Sequence, residues 1–177
     1  QGFSGNSVLF LVDGERLAGE TLDNIDYSRL NLADVGRIEI VKGASSSLYG
    51  SNAVGGVINL ISRELTKPWE ASVSARYGSH NEQRYVADAG FRAGIVSSLT
   101  TIQRTSIDSY SFKNPGEYNK FFGGHTWNFK ERLSITPFDK LKIVARAGYF
   151  FRQRSSSDVT NDRYRDFNGG LRGFYTI

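Results

Sequence analysis

Two patterns of hydrophobic residues divide the chain near residue 65. Before this point, apolar residues form short continuous runs at 8–12, 38–41 and 57–61. Runs of this kind predict strands that are buried on both faces. Asp13-Gly14 and Gly43 mark turns after two of the runs. The pattern predicts a small globular domain over residues 1–65 that packs inside a larger structure.

After residue 68, apolar and polar residues alternate. Trp69, Val73 and Tyr77 fall on one side of the first alternating segment. Glu70 and Arg76 fall on the other side, because a period of two places each set on one face of a sheet. The pattern predicts six strands, at residues 69–77, 84–93, 96–109, 125–135, 141–154 and 164–177. The third alternates poorly and is assigned mainly from its neighbours.

The lengths and ends of these segments indicate strands that cross a membrane. A strand tilted by about 45° needs about 9–11 residues to cross a bilayer, and segments 69–77 and 141–151 are close to that length. Aromatic residues lie near their ends: Trp69, Tyr77, Tyr149 and Phe151. The aromatic girdles of membrane barrels occupy such positions. Glu131 interrupts an apolar face in the fourth segment, so it lies near an interface or the predicted register is wrong.

The predicted connections are short at one end of the sheet and long at the other. Residues 94–95 and 136–140 form short turns, whereas 110–124 and 155–163 are longer polar stretches. In outer-membrane barrels the short turns face the periplasm and the long loops face outside. Six strands with an open edge would leave backbone groups unpaired in lipid. We therefore expect the chain to be a fragment of a longer protein.

Four motifs carry a family resemblance: VDG at 12–14, RIEIVKG at 37–43, LYGSNAVGG at 48–56 and VINLIS at 57–62. In order and spacing they resemble the end of the plug domain of TonB-dependent outer-membrane receptors, with Ala44 where that family usually has proline. The resemblance implies an all-β fold, a transmembrane antiparallel β-barrel of 22 strands in the full-length family, with a plug in its lumen. Residues 1–65 would then be the C-terminal part of the plug, and 66–177 the first six or so barrel strands.

The resemblance also implies a substrate-contacting loop. Residues 17–26 (LAGETLDNID) follow the VDG turn and match the plug apex loop of that family. The residues expected to contact substrate are Gly19, Glu20, Thr21, Leu22, Asp23 and Asn24. The alternative is an ordinary polar surface loop, although loops on a rigid scaffold often carry function.

Charged residues of the second motif are candidates for a lock between plug and barrel. In the resembled family, residues at the positions of Arg37, Glu39 and Lys42 pair with opposite charges on the inner barrel wall. The candidate partners of Glu39 on the predicted lumen face are Arg76, Arg84, Arg92, Arg146 and Arg152. A buried pair can act as a register lock or switch. The alternative is that lumen water solvates these side chains.

Composition narrows the possible functions. The net charge of +4 is modest and its Lys and Arg are spread among acids, which disfavours nucleic-acid binding. Without cysteine, disulfide scaffolds and Cys-ligated metal sites are excluded. The sequence contains neither a Walker glycine motif nor a readable Ser/His/Asp or Cys/His arrangement, so we do not expect an enzyme.

Other side chains have a functional and a simpler interpretation. His80 and His125 could be axial ligands if the substrate were haem, although lone histidines usually pack or lie on the surface. Aromatic residues near the predicted outer loop could form a platform for a flat ligand: Tyr110, Phe112, Tyr118, Phe121 and Phe122. For Phe121 and Phe122 a girdle position is favoured.

The function implied by the resemblance is energised import across the outer membrane of a Gram-negative bacterium. The cargo would be an iron-siderophore, haem or cobalamin, and no cofactor is expected. The implied partners are TonB with its inner-membrane energising complex, outer-membrane lipid and, as a further candidate, a surface lipoprotein. A passive porin or surface adhesin is the first alternative, which explains the alternating strands but not the plug motifs. A soluble β-sandwich is the second, and the aromatic girdles argue against it.

Overall fold

The computed structural model describes residues 8–16, 35–42, 56–114, 117–155 and 161–176. They form twelve strands: β1 (Val8–Val12), β2 (Glu15–Arg16), β3 (Val35–Val41), β4 (Gly56–Ser62), β5 (Trp69–Gly78), β6 (Glu82–Ala93), β7 (Val96–Ile107), β8 (Tyr110–Asn114), β9 (Glu117–Phe121), β10 (Gly124–Phe138), β11 (Leu141–Ser155) and β12 (Asn161–Tyr175). Within these ranges, no helix is long and apolar enough to cross a membrane. The chain divides into two compact units, Gln1–Glu64 and Leu65–Ile177.

The first unit contains a four-stranded sheet in the order β2-β1-β4-β3. β1 runs parallel to β4, whereas β3 is antiparallel to it. Leu9, Leu11 and Val57 form a buried core, and they come from runs that the sequence predicted to be buried strands. β3 departs from that prediction, because Ile38 and Ile40 are 53% and 59% exposed. β3 lies at the edge of the sheet, where β4 is its one hydrogen-bonded neighbour among the described strands.

The second unit is built on a six-stranded sheet in the order β12-β11-β10-β7-β6-β5, with every neighbouring pair antiparallel. Its strands correspond to the six that the alternation predicted. The third, which alternates poorly, is a full strand of 12 residues that pairs with β6 on one side and β10 on the other. Pairing on both sides therefore holds β7 in the sheet despite its irregular sequence.

Two connections differ from the sequence prediction. The stretch 110–124, predicted to be a polar loop, contains β8 and β9, which pair as a two-stranded ribbon. The turn predicted at 136–140 is shorter, because β10 continues to Phe138 and only residues 139–140 form the turn. The register of β10 against β11 shifts between Ile135 and Phe138. Pro137 lies within this shift, and a proline cannot donate a backbone hydrogen bond to the ladder.

The two faces of the six-stranded sheet differ in polarity. One face, here called the apolar face, carries exposed hydrophobic side chains: Trp69, Val73, Tyr77, Tyr85, Phe91, Ile102, Trp127, Phe129, Phe167, Leu171 and Tyr175. The opposite face, here called the polar face, carries the buried side chains: Val86, Asp88, Leu99, Thr101, Gln103, Asn128, Ser134, Val144 and Phe150. Large hydrophobic side chains are therefore exposed on the apolar face of the sheet, whereas the buried side chains lie on the polar face.

This arrangement is the reverse of a water-soluble sandwich, in which the apolar face of each sheet packs on the core. Outer-membrane barrels place apolar side chains outward against lipid and polar side chains inward. The distribution of side chains on the sheet therefore fits a membrane barrel and argues against the soluble β-sandwich.

Glu131 lies on the apolar face, in the register that the sequence predicted for its strand. Its carboxylate accepts hydrogen bonds from Ser98 Oγ, at 2.6 Å, and from Thr100 Oγ1. Both donors lie on β7, where Thr100 is the direct cross-strand neighbour of Glu131. Hydrogen bonds to both oxygens reduce the penalty of placing a carboxylate among apolar neighbours. The register predicted for this strand is therefore confirmed, and two hydroxyl groups on the adjacent strand are the hydrogen-bonding partners of the carboxylate.

A charge placed on the apolar face should destabilise the membrane-inserted protein. Val73 is 83% exposed near the middle of β5, and Val73→Arg is expected to lower the free energy of unfolding by about 2–4 kcal/mol. Ser74→Arg, on the polar face, is the matched control and should change that free energy by less than about 1 kcal/mol. Urea unfolding of the full-length protein in lipid vesicles measures both. Equal losses in the two variants would contradict the assignment of the faces.

Candidate functional site

The turn between β1 and β2 is built from Asp13 and Gly14. Their φ angles are +50° and +82°, the left-handed conformations that tight hairpin turns need and that Asp-Gly adopts readily. The Asp13 carboxylate accepts hydrogen bonds from the Ser62 backbone N–H, at 2.8 Å, and from Ser62 Oγ, at 2.6 Å. The Asp13 N–H donates to the Leu60 carbonyl at 2.8 Å. The VDG turn is thereby fastened to the end of the VINLIS strand.

Asn59 connects the same turn to the predicted lock residues. Its Oδ1 accepts a hydrogen bond from the Gly14 N–H at 2.9 Å, and its Nδ2 donates to the Glu39 carboxylate at 3.3 Å. Glu39 also accepts a hydrogen bond from Arg37 Nε at 2.9 Å. These contacts link three of the four motifs. Sequence reasoning missed Asn59, whose one signal is that it is a polar residue within an apolar run.

The predicted site residues are only partly within the described structure. Arg37 and Glu39 form an ion pair on β3, with side chains 70% and 44% exposed, and Lys42 follows the end of this strand. The predicted substrate contacts lie outside the described residues: Gly19, Glu20, Thr21, Leu22, Asp23 and Asn24. A pairing of Glu39 with an arginine of the second unit stays a prediction.

The polar face of the second unit is strongly basic. By strand register it carries ten cations: Arg76, Arg84, Arg92, Lys130, Arg132, Lys142, Arg146, Arg152, Arg154 and Arg172. The same register gives it five carboxylates: Glu70, Glu82, Asp88, Asp162 and Asp166. All five arginines that the sequence named as partners for Glu39 are therefore on this face.

Two pairs of arginines are direct cross-strand neighbours on the polar face. Arg76 lies opposite Arg84, and Arg132 lies opposite Arg146. Like charges in directly opposite positions are destabilising. An adjacent anionic group, from the protein or from a solute, would relieve this repulsion. The face is therefore suited electrostatically to acidic neighbours.

The two histidines pack against aromatic rings. His80 stacks on Tyr110 with ring centres 3.8 Å apart, and His125 tilts against Phe151 at 5.7 Å. Phe121, for which a girdle position was favoured, stacks on Tyr110 at 4.9 Å across the β8–β9 ribbon. In the part of the chain that the structure describes, no three His, Cys, Asp or Glu side chains are grouped as metal ligands would be. Both histidines thus pack against aromatic side chains, and a role as haem ligands stays a hypothesis.

Comparison with known proteins identifies the family of the first unit. The sequence profile of the TonB-dependent Receptor Plug Domain matches residues 1–57. The vitamin B12 transporter BtuB of Vibrio vulnificus is 35% identical over 176 residues, which cover 92% of this chain and 28% of the transporter. BtuB of Vibrio cholerae is 38% identical over 108 residues, or 61% of this chain and 18% of the transporter. The chain thus spans less than a third of the length of these relatives.

Solved structures resemble the chain over nearly its whole length. The FrpB iron transporter of Neisseria meningitidis has a TM-score of 0.77 at 19% identity, covering 97% of this chain and 29% of that one. The siderophore receptor PirA of Pseudomonas aeruginosa has a TM-score of 0.74 at 18% identity, and the match covers 99% of this chain and 31% of PirA. The fold is that of transmembrane β-barrel receptors with an internal plug. The chain belongs to the TonB-dependent receptors, as its motifs predicted.

The Asp13 network should hold the plug sheet together. Asp13→Ala removes two hydrogen bonds and leaves the Ser62 N–H without its carboxylate acceptor, which is expected to cost about 1–3 kcal/mol. Amide hydrogen exchange over residues 57–62 of the full-length receptor should accelerate about 5- to 100-fold. Glu15→Ala, on the exposed strand β2, is the control. Unchanged exchange over 57–62 in Asp13→Ala would show that the carboxylate does not stabilise this strand.

Proposed function

We propose that this chain forms part of a receptor that imports a scarce, bulky nutrient across the outer membrane of a Gram-negative bacterium. TonB and its inner-membrane energising complex would drive the import. The observation that carries the proposal is the combination of the hydrogen-bonded plug motifs with a sheet whose apolar face is exposed. A passive porin or an adhesin requires such a sheet but has no use for the plug motifs.

The first cargo to test is a corrinoid of the vitamin B12 type. The relatives at 35% and 38% identity are named as vitamin B12 transporters, whereas the receptors named for siderophores or iron resemble the chain at 18% and 19% identity. Iron chelates and haem are the competing cargoes. Residues 19–24 would contact the cargo, because this loop follows directly from the hairpin that Asp13 and Asn59 fasten.

The lock proposal concerns Arg37, Glu39 and Lys42. Glu39 is held by Arg37 and Asn59, so its carboxylate has a defined orientation on β3. The polar face of the barrel strands has an excess of five cations, ten against five carboxylates, which would attract an acidic plug residue. Glu39 would pair with this face in the resting receptor, and the pairing would break when TonB rearranges the plug.

Uptake by whole cells tests the function. Cells that lack their own B12 receptor and produce the full-length protein should take up labelled cyanocobalamin at least about tenfold faster with TonB than without it, because passive diffusion of so large a solute is slow. Replacing Asp23 with alanine should raise the half-saturating concentration, whereas Glu15→Ala on β2 should leave it unchanged. The same cells supplied with a ferric siderophore or haem separate the competing cargoes. Equal uptake with and without TonB would favour the passive barrel.

Resistance of the plug to unfolding tests the lock. Glu39→Gln weakens the contacts with Arg37 and Asn59 and removes the proposed charge partner of the barrel, so the plug should lose about 1–3 kcal/mol of stability. Glu15→Gln, on the exposed strand β2 and outside the proposed lock, is the control and should cost less than about 1 kcal/mol. A spin label on the plug of the full-length receptor reports its unfolding in urea. Equal effects of the two variants would contradict the lock.

A further inference from the structure

Two arginines lie on the apolar face near the end of the sheet where the connections are long. Arg104, Trp127, Phe151 and Arg165 are successive cross-strand neighbours on β7, β10, β11 and β12. The Arg104 guanidinium carbon is 5.8 Å from the centre of the Trp127 ring, and that of Arg165 is 5.7 Å from the Phe151 ring. Each guanidinium therefore lies over the aromatic ring of the neighbouring strand. These four residues are here called the arginine row.

The next row toward the same strand ends is polar. Its members are Ser106, His125, Gln153 and Arg163. None of the eight residues in the two rows is acidic, and three of them are arginines. Neither Arg104 nor Arg165 forms an ion pair with an acidic side chain in the described part of the chain. The apolar face thus changes from hydrophobic to basic as it approaches the strand ends.

A depression of about 320 Å³ lies beside the two rows. Its polar lining includes Arg104, Ser106, His125, Gln153, Ser155 and Asn161. Asp108 also lines it, and its carboxylate accepts a hydrogen bond from Asn81 Nδ2 at 3.2 Å. The lining therefore combines one guanidinium and one carboxylate with hydroxyl, imidazole and amide groups.

Glycines shape this depression. Gly123 and Gly124 are part of its lining, and the backbone approaches them closely. A Cβ added at Gly123 would overlap the Ile107 carbonyl, and one added at Gly124 would overlap the Gln153 carbonyl. Only glycine leaves room for the backbone to pass here. The concave surface is therefore built into the junction between β7, β10 and β11.

We propose that the arginine row and this depression bind the phosphorylated, hydroxyl-rich headgroup of an outer-leaflet lipid. Guanidinium groups form bidentate hydrogen bonds with phosphate, and two of them in one row can each hold one of two neighbouring phosphates. The hydroxyl and amide groups of the depression suit the hydroxyls of a sugar headgroup. Trp127 and Phe151 lie at the level of the aromatic belt of a membrane protein, where the lipid headgroups begin.

The position of the row favours a lipid over a free anion. Arg104 and Arg165 are on the apolar face, which in a membrane barrel is turned to lipid, and not on the basic polar face. Basic residues at this depth reach phosphates of the bilayer surface, while acyl chains can lie against the hydrophobic side chains below them. The proposal rests on the outer-membrane location proposed above, but not on the cargo or on TonB.

Lipid binding to the detergent-purified full-length receptor tests the proposal. Native mass spectrometry during titration with bisphosphorylated lipid A gives the affinity of wild type and variants. The double variant Arg104→Gln/Arg165→Gln should bind at least about tenfold more weakly, since each arginine near a membrane surface contributes a severalfold factor. Arg172→Gln is the matched control, because it removes a guanidinium 5.9 Å from the Phe174 ring on the polar face and should change the affinity less than about twofold.

The comparison lipids and a second variant decide between outcomes. Unchanged affinity in the double variant would overturn the proposal, as would equally tight binding of phosphatidylethanolamine or displacement of lipid A by inorganic phosphate. If the glutamine variant does not fold, Arg104→Lys/Arg165→Lys keeps the charge but not the bidentate geometry, and wild-type affinity there would also overturn it. If the receptor does not take up cargo but still binds lipid A through the phosphates of the lipid, the result counts against the import function and not against the lipid site.

Discussion

Lipid on one side and water on the other is the condition on which the structure of the second unit depends. Val73 is 83% exposed and Val144 only 2%, although the two residues are identical in type and lie in the same sheet. In water this arrangement would leave a hydrophobic surface uncovered, whereas in a bilayer it is the stable one. Polar and charged residues must then collect on the other face. The sign of the net charge on that face, with ten cations against five carboxylates, then determines what can lie next to it.

The first unit depends on a different principle, in which side chains join segments that are distant in sequence. Asp13 and Ser62 are 49 positions apart, and Asn59 and Gly14 are 45 apart. Each contact satisfies a backbone N–H that the sheet ladder does not use. The VDG and VINLIS motifs occur together in this sequence because each contains the hydrogen-bonding partner of the other. The sheet formed by the four described strands gains much of its specificity in this way.

Periodicity predicted the six long strands because each side chain of a membrane strand has to match lipid or water. It was weakest at β7, where Ser98 and Thr100 stand on the apolar face, and it was also uncertain at Glu131. The structure shows that these two irregularities have one cause, since the hydroxyl groups donate to the carboxylate. No single-strand pattern could reveal this, because the partners belong to different segments. The β8–β9 ribbon and the role of Asn59 were missed for the same reason, and the proposed cargo contacts at 19–24 lie outside the described residues.

The contact between Glu131 and β7 has a consequence for how the sheet is assembled. β6 and β7 are joined by a two-residue turn, as are β10 and β11, and such turns determine strand alignment. β7 and β10 have no such guide, because the ribbon β8–β9 separates them. A slip of one residue between them would move Thr100 to the opposite face and leave the carboxylate on the apolar face without these hydrogen bonds. The hydrogen bonds from Ser98 and Thr100 to Glu131 therefore favour the correct alignment of β7 and β10 over a slipped one while the barrel assembles.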